Sequence, residues 1–137
     1  MIKNLCPYLN FNGTGAKAIA LYEKALGAKT SEVMRHRDVP GGCPQPGDED
    51  RIIHARLALG GGVVMISDMP PNMPAPPAGN VHVCLDFDDA SDMKTKFDAL
   101  ADGGKVTTPL QDMFWGATFG MLVDAYGISW MFNCNKK

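Results

Sequence analysis

Residues 5–29, LCPYLNFNGTGAKAIALYEKALGAK, and residues 81–105, VHVCLDFDDASDMKTKFDALADGGK, follow one plan. Each opens with a short alternating stretch, continues as an amphipathic one, and stops at glycine before a lysine. The cores Leu9-Asn10-Phe11 and Leu85-Asp86-Phe87 match with their polar residue in register. Self-similarity of this kind marks a duplicated supersecondary unit, because a single small unit cannot cover its own apolar face. The two copies are therefore expected to pack together, with a ligand site at their seam.

Working outward, Leu5, Pro7, Leu9 and Phe11 alternate with Cys6, Tyr8 and Asn10, the pattern of a half-buried strand with Pro7 near an edge or start. Thr14 is placed to cap a helix over 16–26, where Ala18, Leu21, Tyr22, Ala25 and Leu26 recur at helical spacing before Gly27. Strands are expected at 30–37, at 52–59 and at 63–68, the last two joined by the turn Gly60-Gly61-Gly62. Residues 38–50, rich in proline, glycine and acid, read as a loop. Residues 69–79, MPPNMPAPPAG, read as an extended proline-rich linker. In the second copy, Val81, Val83, Leu85 and Phe87 oppose His82, Cys84 and Asp86. A helix follows from Asp89 to Ala101, then strands at 105–108, 118–123 and 128–134, with a turn at Asp124-Ala125-Tyr126-Gly127. The expected fold class is α+β. A first βαβββ module spans 1–68, the linker 69–79 and a second βαβββ module 80–137, together one structural domain.

Composition narrows the function. The formal charge is −2 and like charges are not clustered, which argues against nucleic acid or an anionic membrane as partner. No apolar run reaches the roughly 18 residues of a membrane span. No signal-like apolar core with a small-residue cleavage site opens the chain, so no export is expected. Cys6, Cys43, Cys84 and Cys134 form no CxxC pair, and three of them fall in expected strands as small apolar residues. A reduced, cytoplasmic protein is the simplest expectation.

The βαβββ duplication resembles the vicinal oxygen chelate superfamily, which includes glyoxalase I, extradiol dioxygenases and bleomycin-resistance-type binding proteins. Within it the chain looks like the PhnB-like, glyoxalase-related branch over nearly its whole length. The stretches that carry the likeness are PYLNFNGTGAKAIALYEKALGA, IHARLALGGGVVMISD, PLQDMFWGATFGMLVDAYG and ISWMFN. The resemblance implies mixed sheets curved around a cavity, a glyoxalase/dioxygenase-like fold, and a homodimer. It also implies four divalent-metal positions, from the first and fourth strands of each repeat. Carried over one at a time, these fall on Cys6, Met65, His82 and Met131. Mg²⁺ or Mn²⁺ requires oxygen, and this set offers none. The expectation is that no metal cofactor is used. The alternatives are a divalent metal, or a soft ion such as Cu(I), bound through His82 with Cys6, Met65 and Met131.

Other candidates come from strand faces. His54 and Arg56 share one face, and an inward pair would recognise a carboxylate or phosphonate. Asp68 is a catalytic candidate that orients His54 or itself acts as a base; the competing reading is that it accepts from turn amides. Cys6 and Tyr8 on the first strand, and His82 and Cys84 on the fifth, are candidate ligand-binding walls, with Asp86 beside them in need of a partner. Trp115 and Phe119 flank Gly116 and would stack on a planar ligand. Core packing is the competing reading, stronger for Phe119, and Trp130 is expected to pack against the helices.

Two functions follow. One is a protein that binds a small organic, in one form anionic, ligand in an apolar cavity without metal. The other is a lyase, isomerase or dioxygenase-like enzyme acting on a small oxygenated substrate, with His54 or His82 as base.

Overall fold

The computed structural model describes residues 1–39, 48–69 and 80–136. The linker expected at 69–79 lies outside the described residues except for Met69, as do Cys43 and most of the loop expected at 38–50. The chain divides into two units, Met1–Pro76 and Pro77–Lys137.

In the first unit, strand β1 (Tyr8–Phe11) leads to helix α1 (Gly15–Leu26), then to β2 (Lys29–Arg35), β3 (Ile52–Leu59) and β4 (Gly62–Asp68). The sheet order is β1-β4-β3-β2, with β1 parallel to β4 and the other pairs antiparallel. A parallel pair needs a crossover, and α1 with β2 and β3 supplies it. The first strand is shorter than the alternation over 5–11 implies, because only Tyr8–Phe11 finds partners on β4. The strand expected to reach 37 ends at Arg35, and His36–Asp38 forms a 3-10 turn.

Leu9, Phe11, Ala18, Tyr22, Ala55, Leu57 and Ile66 make the core between α1 and the sheet. Gly27 closes α1 in the left-handed conformation at φ 71°, as expected of a glycine C-cap. Thr14 occupies the N-cap but its side chain makes no cap hydrogen bond. The Asp68 carboxylate takes that role from across the sheet, accepting from Gly13 N and Gly15 N at 2.9 Å each.

The second unit repeats the plan. Strand β5 (Val83–Phe87), helix α2 (Ala90–Ala101), β6 (Lys105–Asp112), β7 (Ala117–Val123) and β8 (Ser129–Asn135) form a sheet of order β5-β8-β7-β6. The expected strand at 105–108 runs on to Asp112 across two register irregularities. Asp89 caps α2, its side chain accepting from Asp92 N. Trp130, Phe132, Leu122, Phe97 and Leu100 form the core beneath α2, with Phe97 edge-on to Phe132. Trp130 therefore packs on the helix side, as its alternation indicates.

The two sheets share a register. Leu9 pairs with Ile66 as Leu85 pairs with Phe132, and Tyr8 pairs with Met65 as Cys84 pairs with Met131. Met65 and Met131 are thus equivalent positions. Each unit is a mixed four-stranded sheet with one helix, so the fold class is α+β with the two expected βαβββ repeats.

Candidate functional site

Each sheet has one face covered by the helix of its own unit and one, termed the open face, that this helix does not cover. In the first unit the pairing sets Tyr8, Met65 and Arg56 in one row across β1, β4 and β3. His54 lies two residues from Arg56 on the same strand and so on the same face. The Tyr8 Oη and His54 Nδ1 are 3.1 Å apart, with the rings tilted 49° and 6.1 Å between centroids. The contact is a hydrogen bond through the phenol and not a ring stack. Because β4 lies between β1 and β3, this bond reaches across a whole strand. His54 and Arg56 are half-buried, and Tyr8 is 44% exposed.

Asp68 is placed otherwise than a catalytic role requires. Ala55 pairs with Ile66 and Arg56 with Met65, so Asp68 shares the helix-facing side with Ile66, opposite His54. It is 6% exposed, and its two oxygens accept from Gly13 N, Gly15 N and, at 2.8 Å, Ile52 N. The carboxylate ties the start of α1 to the start of β3. A buried carboxylate must satisfy its oxygens locally, and three backbone donors do so here. The partner of His54 is Tyr8.

Cys6 precedes β1, half-buried, and its thiol donates to the Val63 carbonyl at 3.0 Å. In the second unit His82 lies just before β5, half-buried, and Cys84 lies exposed on β5. Among the described cysteines, Cys134 alone is buried in the manner expected of strand cysteines. Partial burial, and next the nearby Asp86 charge, push the Cys84 thiol up from its ordinary range. It is accordingly a weak nucleophile. Asp86 has its partner in Asn133, whose Nδ2 donates to it at 2.7 Å.

Met113–Gly116 forms the turn between β6 and β7, closed by Gly116 N to Met113 O at 3.1 Å, with Gly116 at φ 84°. This turn holds Phe114 and Trp115 in the open, at 95% and 50% exposure. Phe114 meets Trp115 edge-on, and Trp115 meets Phe119 at 5.8 Å and 71°. Phe119 lies in the row Asp86, Asn133, Phe119, Gln111. It is on the face opposite α2, because neighbouring Gly120 takes the helix-facing position.

Met34 was not legible as a site residue. It pairs with His54 only because β2 changes register between Ser31 and Met34, with Glu32 at φ 54°. A β-bulge shifts which side chain faces which, and no local alternation announces it.

The metal positions implied by the family plan hold a thiol and a thioether in the first unit and an imidazole and a thioether in the second. The Cys6 thiol is engaged with a carbonyl. Among the described residues no three His, Cys, Asp or Glu side chains converge on one point. This donor set does not fit a hard divalent ion.

Comparison with known proteins agrees with this architecture. The chain is 33% identical to the Escherichia coli protein YjdN over 97% of its own length and 96% of that protein's. Protein PA1353 from Pseudomonas aeruginosa matches at TM-score 0.86 and 36% identity, covering 99% of this chain and all of the other. The PhnB protein from Bacillus cereus matches at TM-score 0.77 and 24% identity, covering 96% of this chain and 99% of that one. The fosfomycin resistance protein FosX from Listeria monocytogenes, at TM-score 0.70 and 11% identity, shares the fold over 99% of this chain and 96% of its own. With residues 9–132 matching its family model, the chain belongs to the Glyoxalase/Bleomycin resistance protein/Dioxygenase superfamily.

Proposed function

We propose that the chain binds a small organic anion, a carboxylate or phosphonate, on the open face of its first sheet, without a divalent metal. Arg56 would hold the charged end by paired hydrogen bonds, with His54 beside it, and the Met65 and Met34 side chains would contact the organic part. The observation that carries this reading is the Tyr8–His54 hydrogen bond in the row next to Arg56, which sets an ordered imidazole beside a permanent cation. The sulfur-rich donor set supports the metal-free form of the reading.

Titration calorimetry with phosphonoacetate, lactate and the uncharged lactamide tests it. The acids are expected to bind and the amide not. Arg56→Ala should weaken the acids by about ten- to a hundredfold, the worth of one or two charge-assisted hydrogen bonds. Arg56→Lys should restore only part, since an ammonium cannot form the paired contact. EDTA should leave affinity unchanged. Equal binding of acid and amide, or an unaffected Arg56→Ala variant, sinks the proposal.

A second reading, a lyase or isomerase acting on a small oxygenated substrate, draws on the same hydrogen bond. An imidazole oriented by a phenol is an arrangement suited to a general base. Mass spectrometric detection of a converted ligand, lost in His54→Gln with binding retained, would favour it.

A further inference from the structure

We infer that Tyr8 is a positioning residue: it donates to His54 Nδ1 and so fixes the neutral imidazole with its proton on Nε2. The open face of the first sheet then presents two donors, His54 Nε2–H and the Arg56 guanidinium, to a ligand group that only accepts. This rests on the reading of that face as the binding face.

A neutral imidazole carries one donor and one acceptor nitrogen, and the partner at one nitrogen sets the role of the other. At 3.1 Å the phenol and Nδ1 are within hydrogen-bond distance. The lone pair of an imidazole nitrogen is a good acceptor, whereas that of a phenol oxygen is drawn into its ring, so the phenol donates. A carboxylate partner at Nδ1 would favour the imidazolium. Asp68, the nearby acid in sequence, is on the other face with its oxygens committed to backbone amides.

The second unit serves as an internal control. Register makes Cys84 the counterpart of Tyr8, because each pairs with the equivalent methionine. Met121 pairs with Met131 as Arg56 pairs with Met65, and one residue back on each strand Gly120 pairs with Phe132 as Ala55 pairs with Ile66. Phe119 is then the counterpart of His54. The second sheet forms with the same order and pairing while holding a thiol, a phenyl ring and a thioether where the first holds phenol, imidazole and guanidinium. The fold therefore does not require the Tyr8–His54–Arg56 group. Its ligand chemistry follows from two donors: carboxylates and phosphonates are accepted, amines and amidines rejected.

The test is ¹⁵N NMR of the full chain labelled in its three histidines, with His54→Gln identifying the signal. Spectra are taken at about pH 8.5, roughly two units above the ordinary imidazole pKa. His54 is expected as the Nε2–H form with Nδ1 accepting. Tyr8→Phe should move the Nδ1 resonance to that of an unbonded nitrogen and admit the other tautomer. It should also weaken phosphonoacetate about three- to tenfold. An Nδ1–H tautomer in the unaltered chain overturns the inference without any variant. Unchanged His54 signals in a folded Tyr8→Phe chain, or undiminished phosphonoacetate binding by it, overturn it too. If the unaltered chain shows the Nε2–H form but binds no acid, the binding reading fails while the tautomer assignment stands.

Discussion

Among the described residues, two buried carboxylates, Asp68 and Asp124, hold backbone together. The Asp68 carboxylate gathers Gly13 N, Gly15 N and Ile52 N. Asp124 does comparable work in the β7–β8 turn, accepting from Tyr126 N, Ile128 N and the Trp130 indole. The donors of Asp124 lie within the turn and the strand after it, two to six residues on, whereas the role of Asp68 is not written in local sequence, because its donors lie 16 to 55 residues away. Removing a buried acceptor leaves its donors unsatisfied, at about 1–3 kcal/mol each before relaxation. Asp68→Ala is expected to lower stability by about 3 kcal/mol or more, read by urea unfolding. A loss near zero would show that water replaces the carboxylate. Under the alternative in which Asp68 orients His54, the variant would lose function at full stability.

Helix ends and turns were the most legible elements. Gly27 and Asp89 act where their residue types lead one to expect, because capping is settled within a few residues. Strand ends were less so, since a strand extends only as far as its neighbour pairs with it. That is why β1 begins at Tyr8 and β6 continues to Asp112. On β7, Gly120 reflects a close approach: a Cβ there would sit 2.8 Å from Leu110 Cδ2 and 3.1 Å from both the Phe97 ring and the Thr108 carbonyl. The leucine can turn aside, but the ring and the backbone cannot readily do so. Gly120→Ala should therefore destabilise the chain by about 1–3 kcal/mol, the usual cost of overpacking, seen as a lower unfolding midpoint. At the equivalent place in the first sheet the chain already carries Ala55, fully buried.

At the scale of the molecule, each unit places two strands at the centre of its sheet and two at the edges. Central strands are paired on both sides, so their amides open only in larger unfolding events. Hydrogen exchange is expected to be slowest in β3 and β4 of the first unit and in β7 and β8 of the second. The edge strands β1, β2, β5 and β6 should exchange faster. Slow exchange in β5 equal to that in β8 would indicate that its outer edge is covered. No helix among the described residues is long and apolar enough to cross a membrane.

From its sequence alone the chain determined the duplication, the strand-helix-strand order of each copy, the helix ends at Gly27 and Asp89 though not the cap expected of Thr14, and the equivalence of Met65 with Met131. These are carried by local period and by similarity between the copies. Tertiary structure decided that Asp68 turns inward to backbone amides, that Tyr8 reaches His54 across β4, and that Phe119 lies on the face opposite α2 beside Trp115. A two-residue period separates the faces of a strand, but strand pairing and helix packing select which face is covered and which side chains meet across it.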